Sequence, residues 1–450
     1  MTALISALAA AVRKGRASPV TLVEQALAQI ERHQDLNAIA FVNPASALAE
    51  AQVLEHEARA GQLRGPLHGL PITVKDLFNV RGMPLRAGTR APLPDIAPDE
   101  ATAVARLRRA GAVIVAKTNL QEIALGLTGE NPWTGDVKNP HDPSRQAGGS
   151  SSGSAVAVAV GIGFGSLGSD TAGSIRLPAS FCGVVGFKPS YGAIPMDGAL
   201  PLIPGCDHAG PLARTVADVA ALFAILSGAP GDAWAHPAQL SRPPRLAVPS
   251  AYLQGALTSQ VRAAFTLLIE RLRLTDVAID EVALDIGDPL VGFAPLRAES
   301  LMIHRCALSQ WPELFSPTVR DALMRGHDFS ALQYLEAREY QRALRRALHR
   351  ALEGVDALVM PAAPCVAPPR GSTEIVLESG PANLRSAILR LTLPAALAGL
   401  PALALPFAWI DGLPAGLQII APFGADQQAL AVGAWIEAWL DERGWVEVTK

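Results

Sequence analysis

Four serines and three glycines alternate through Gly148-Gly149-Ser150-Ser151-Ser152-Gly153-Ser154, and glycine takes backbone angles that other residues avoid. The loop runs straight into an apolar stretch over residues 155–165. A flexible linker would stay polar, so these serines are expected to be held still against a core. Fixed hydroxyls among backbone N–H groups suit acyl transfer, which needs a nucleophile, a proton relay and an oxyanion site. Further on, Asp170-Thr171-Ala172-Gly173-Ser174 reads as a turn with Ser174 at its exit. The amides of Thr171, Ala172, Gly173 and Ser174 would then share one concavity, a nest suited to an oxyanion. An ordinary tight turn capping a helix is the rival reading. Lys75 ends the apolar run Gly69-Leu70-Pro71-Ile72-Thr73-Val74. Burial there lowers an amine pKa, and a neutral amine can act as a general base. Its rival is a lysine paired with Asp76 or another carboxylate.

Other uses of a glycine- and serine-rich loop fit less well. A phosphate cradle would require Gly-x-x-x-x-Gly-Lys-Ser/Thr or Gly-x-Gly-x-x-Gly after a strand, and neither is present. A nucleophile elbow lacks plausible Asp and His partners. Serine chemistry without histidine needs another base, and lysine is an attested one.

The elements that must hold these residues alternate in type. The 450-residue chain is half hydrophobic and 18% charged, enough for a large core, and large α/β enzymes of this length form one unit. Helices are expected over 4–13, 18–32, 45–60 and 102–110, and strands over 70–74, 112–116 and 184–188, with further strands at 358–360 and 402–406. Helices alternating with continuous apolar strands mark an α/β sheet covered on both faces. Residues 228–245 read as a surface excursion and 361–370 as an extended loop. The helix over 328–352, with Arg338, Arg342, Arg345, Arg346 and Arg350, reads as a solvated basic face.

A net charge of −3 gives no pull toward nucleic acid or anionic membrane. No apolar run reaches the ~18 residues of a span. Near the N-terminus Arg13, Lys14 and Arg16 follow the apolar part, the reverse of a signal peptide. Four dispersed cysteines and nine scattered histidines imply reduced thiols in a cytoplasm and no metal site. No cofactor is expected.

Taken together, Gly69-Leu-Pro-Ile-Thr-Val-Lys-Asp76, the serine loop and Gly168-Ser-Asp-Thr-Ala-Gly-Ser-Ile-Arg-Leu-Pro-Ala179 resemble the amidase signature family. The likeness continues through 181–192, 207–214 and 412–420. It implies one domain over 1–450, with a helical segment over about 1–62 and a signature core over about 65–215. A mixed central β-sheet would lie between α-helices. It further implies Ser174 as nucleophile, Ser150 as relay after a cis peptide bond, and Lys75 as terminal base. The oxyanion would rest on Thr171, Ala172, Gly173 and Ser174, supported by Ser151, Asp170 and Arg176. Asp170 would fix the turn; Arg176 would order the loop or meet a polar substrate group. The reaction implied is hydrolysis of a small carboxamide with release of ammonia.

Departures narrow the likeness. Ser152 and Ala172 stand where glycine is common in the family, and Ala396 where asparagine is expected. Leu389 falls where the glutaminase subunits of tRNA-dependent amidotransferases carry an aspartate, so the amino group of glutamine would lose its partner. Glu130-Asn-Pro, 138–145 and Asp207-His208 resemble biuret-type amidohydrolases such as 1-carboxybiuret hydrolase, whose relatives use a small helical partner. Arginines near the pocket would suit a small anionic substrate. A homodimer, with or without such a helical partner, is the expected assembly.

Overall fold

The computed structural model describes residues 4–231, 233–234 and 238–448. Its strands are β1 (Ile39–Val42), β2 (Pro71–Lys75), β3 (Val113–Thr118), β4 (Ser166–Asp170), β5 (Val185–Lys188), β6 (His208–Ala213) and β7 (Arg245–Val248). They continue with β8 (Ala278–Glu281), β9 (Ala357–Pro361), β10 (Glu374–Leu377), β11 (Gly380–Asn383), β12 (Ala402–Ile410), β13 (Leu413–Ile420) and β14 (Val446–Val448). Twelve form one sheet in the order β1-β3-β2-β4-β6-β5-β12-β13-β9-β7-β8, with β14 alongside β12; β10 and β11 make a separate hairpin. The sheet is mixed. β3, β2 and β4 run parallel, as do β9, β7 and β8, while the ladders from β4 through β13 to β9 are antiparallel.

Strands β2, β3, β4, β5, β6, β9 and β13 are buried at every position. That is why β2, β3, β5 and β9 read as apolar runs without alternation: helices cover both faces, and no solvent face is left; β4 and β6, buried but rich in glycine and polar residues, carry no such signal. Capping sets the helix starts. Ser18 caps the helix Pro19–Arg32 through Thr21 N–H at 3.2 Å, and Asn43 caps Pro44–Arg59, one residue earlier than expected. The basic helix is shorter than its expected 328–352. Ser330 and Gln333 form a reciprocal capping box that starts it at Ala331 and it ends at Ala351. Its Arg342 and Arg346 are exposed and pair with Glu339. The excursion expected at 228–245 is irregular where described as far as residue 244, with Arg245 opening β7, and residues 232 and 235–237 of it lie outside the described residues.

Two short helices bring the chemistry-bearing loops onto the sheet. Ser152–Ala159 follows the serine loop, and Arg176–Cys182 follows the turn after β4. Gly153 is required for the first. A Cβ there would lie 2.3 Å from Ala38 O and 2.5 Å from Asn119 O, so only glycine lets this helix sit on the sheet. Among the described residues no helix is long and apolar enough to cross a membrane.

Candidate active site

Lys75 is the last residue of β2 and Asp170 the last of β4, and the two strands are parallel neighbours. Both side chains therefore emerge at carboxyl ends of strands, where open α/β sheets gather their sites. Lys75 has no exposed surface. Its Nζ donates to Ser150 Oγ at 2.8 Å, Ser169 Oγ at 2.8 Å and Ser151 Oγ at 3.0 Å. Burial drives its pKa down to about 7, against the attraction of Asp170 and Asp207. Asp76 is not its partner: that carboxylate pairs with Lys117 at 2.7 Å.

Burial alone does not single out Lys75, because Lys117 and Lys188 are equally enclosed. Their neighbours differ. Lys117 faces a carboxylate, and Lys188 donates to the carbonyls of Pro189 and Leu400. Neither set can hand a proton to a neutral amine. Lys75 meets only hydroxyls, each both donor and acceptor. Ser151 Oγ donates to Ser169 O at 3.0 Å and accepts from Ser169 N at 3.3 Å, so toward Lys75 it accepts. Ser150 and Ser169 keep hydroxyl protons that the amine lone pair can take.

Ser150 is delivered by the peptide after Gly149, which is cis. The same loop is tied to the next segment by Ser151 N–H, which donates to Ser174 O at 3.2 Å. Among the described residues Ser174 Oγ makes no hydrogen bond, to Ser150 or otherwise; the residue is 4% exposed and lines a cavity of about 930 Å³. Thr171 and Ala172 line it too. Gly173 does not, because its N–H donates to Asp170 Oδ1 at 2.7 Å. The expected four-amide nest is thus split, with one amide turned inward to brace the turn.

Asp170 is the brace. It also accepts from Ile175 N–H at 3.1 Å and from Arg176 Nε and Nη2 at 3.0 and 2.9 Å. Burial alone would raise its pKa, but the Arg176 guanidinium holds it well below the usual carboxylate range. Arg176 is itself fully buried and donates to Thr392 O and the Gln418 side chain. Of the two roles expected for Arg176, the geometry leaves loop ordering: every donor is directed into protein, and it does not line the cavity. Gly173 has φ of +124°, and a Cβ there would lie 2.8 Å from Thr392. Ala172 tolerates its methyl, and its carbonyl accepts from Thr392 Oγ1 at 2.6 Å.

Asp207 accepts from Thr171 Oγ1 at 2.6 Å and from the amides of Leu202 and Ile203. His208 Nδ1 contacts the carbonyls of Cys206 and Asp170. Burial keeps its pKa well below the ordinary value, and it meets no serine. Sequence reasoning missed Ser169, Thr392 and Gln418. Ser169 and Gln418 could have been found, since they lie within the runs 168–179 and 412–420 that carry the resemblance; Thr392 comes from a distant segment without a signal. The four cysteines are free thiols.

A buried lysine among serine hydroxyls, beside a turn whose Ser174 lines a cavity, is an arrangement of the kind that acyl transfer by serine requires. The model of the Amidase family matches residues 21–430, and the chain belongs to this amidase signature family. It is a hydrolase acting on amide C–N bonds. The crystal structure of an amidase aligns with 98% of this chain and 100% of its own, at 50% identity and a TM-score of 0.94. A structure from a study of the evolutionary origins of an s-triazine catabolic enzyme is 32% identical over 99% of each chain, with a TM-score of 0.89. The A-type subunit of the glutamyl-tRNA(Gln) amidotransferase of Ralstonia nicotianae is 33% identical, covering 95% of this chain and 96% of that protein.

Proposed function

We propose that the enzyme hydrolyses the terminal carboxamide of a small substrate through an acyl-Ser174 intermediate, releasing ammonia. The observation that carries this reading is Lys75 Nζ 2.8 Å from Ser150 Oγ, on a loop that Ser151 N–H ties to Ser174, the residue that lines the cavity. Neutral Lys75 takes the Ser150 proton as Ser150 takes that of Ser174, whose Oγ then attacks the carboxamide carbon. With Gly173 N–H committed to Asp170, the oxyanion rests on the amides of Thr171, Ala172 and Ser174. The relay returns a proton to the leaving nitrogen, ammonia departs, and water completes hydrolysis.

Biuret-type compounds are substrates of the right kind, supported by the likeness to the protein of s-triazine catabolism. The likeness to the amidotransferase component supports a second reading, a glutaminase working within a complex. Leu389 speaks against it. It is buried in the cavity wall, where an aspartate would have to stand to hold the ammonium of glutamine.

Ammonia release from biuret, aliphatic amides, aryl amides and glutamine tests the proposal. Ser174→Ala is expected to lower kcat by about four orders of magnitude and to abolish labelling by a fluorophosphonate. Undiminished turnover in Ser174→Ala or Lys75→Ala would overturn it. Turnover of glutamine alone among these amides would favour the second reading.

A further inference from the structure

Three arginines line the same cavity as Ser174: Arg297, Arg325 and Arg385. They come from three elements. Arg297 opens the helix Arg297–Gln310, Arg325 follows the helix Pro317–Met324, and Arg385 is the second residue of the helix Leu384–Leu397. Among the described residues none of the three has a carboxylate or hydrogen-bond partner. The carboxylates that share the cavity are already engaged. Glu122 accepts from Thr89, Trp133 Nε1 and Ser316 N–H. Glu130 accepts from Gly371 N–H at 2.6 Å, and Asp136 pairs with Arg370 at 3.1 Å.

The three guanidinium groups share one cavity and oppose one another's charge. Burial first, and then repulsion by Arg297 and Arg325, push Arg385 down to about 10; burial and Arg325 lower Arg297. Arg385 also sits in the first turn of its helix, where the backbone dipole disfavours a cation and favours an anion. Three converging, unneutralised cations at a cavity wall cost stability in the empty protein. That cost is recovered when an anion binds.

The helix Leu384–Leu397 also gives a ruler. Thr392 holds Ala172 beside the nucleophile, and Arg385 lies seven residues earlier on the same helix, ~10 Å along its axis. Ile388 and Leu389 line the wall between them. We infer that Arg297, Arg325 and Arg385 bind a carboxylate at the far end of the amide substrate, which makes the enzyme selective for short carboxylate-bearing amides. This inference rests on the hydrolase reading above for where the other end of the substrate lies.

The test compares glutaramate with its neutral analogues glutaramide and methyl glutaramate on the full-length enzyme. The wild type is expected to favour glutaramate in kcat/KM by about tenfold or more. Arg385→Ala should raise KM for glutaramate by about ten- to a hundredfold, with kcat within about twofold and the neutral amides unaffected. Arg385→Lys should keep part of the preference. The exposed Arg325→Ala should show the same pattern more weakly, whatever Arg385→Ala does to folding. Equal or better turnover of the neutral amides, or a loss shared equally by all three, would overturn the inference and leave amide hydrolysis standing. Calorimetry with glutarate on Ser174→Ala protein separates the two readings, since it needs no turnover. Binding that disappears with Arg385→Ala supports the anion site even if no amide is hydrolysed, and no binding to Ser174→Ala protein overturns it.

Discussion

In the proposed mechanism Lys75 serves as a base only when it is neutral, and its surroundings decide when that is. Burial lowers its pKa to about 7, so protonation as pH falls through that value removes the base. Activity measured as kcat/KM should therefore rise with pH through an inflection near 7, and Lys75→Met should abolish the dependence together with most of the rate. Ser169 offers a finer test, since its hydroxyl supports the ammonium form by accepting a hydrogen bond at 2.8 Å. Removing that acceptor disfavours the charged form. The acid inflection of Ser169→Ala should move below that of the wild type, seen in parallel pH–rate profiles. Residue types made Lys75, Ser150 and Ser174 candidates, and the family resemblance gave them their roles. Ser169 lay in the same quoted run, but β4 is buried at every position, so only the structure shows its hydroxyl turned toward Lys75.

At the scale of elements, the turn after β4 is held by one buried ion pair. Asp170 receives Gly173 N–H, Ile175 N–H and two Arg176 donors, while Arg176 reaches Thr392 and Gln418 on other segments. Asp170→Asn would leave the guanidinium buried without its charge partner, a loss of about 3–5 kcal/mol, readable in denaturant unfolding. Because the folded pKa of Asp170 is depressed, its contribution is present at neutral pH and is lost only as pH falls into strong acid. The apolar runs made β2, β3, β5, β9 and β12 legible, and the caps Ser18-Pro19 and Gly15 made the first helices so. The edge strand β8, exposed along most of its length, and the hairpin β10–β11, half-exposed, offered no continuous apolar run to read.

In the whole molecule the cavity joins walls far apart in sequence: residues 121–136, the turn at 171–174, the helices of 290–325 and the segment 371–389. A void of about 930 Å³ exceeds what acetamide can fill. Binding energy realised on the remote part of a substrate can lower the barrier at the reacting bond. The value of kcat/KM should therefore climb from acetamide through longer amides, and a flat series would show that the outer walls take no part.

The candidate reacting groups and five strands of the sheet were legible in the chain, because hydroxyl, amine and glycine chemistry and apolar strand runs are local properties. Folding turns Gly173 N–H to Asp170, sets Arg176 to brace the turn, and brings three arginines from separate segments to one cavity wall without a counter-ion. Those outcomes depend on contacts between segments up to about 240 residues apart, and side-chain identity carries no record of a partner so distant.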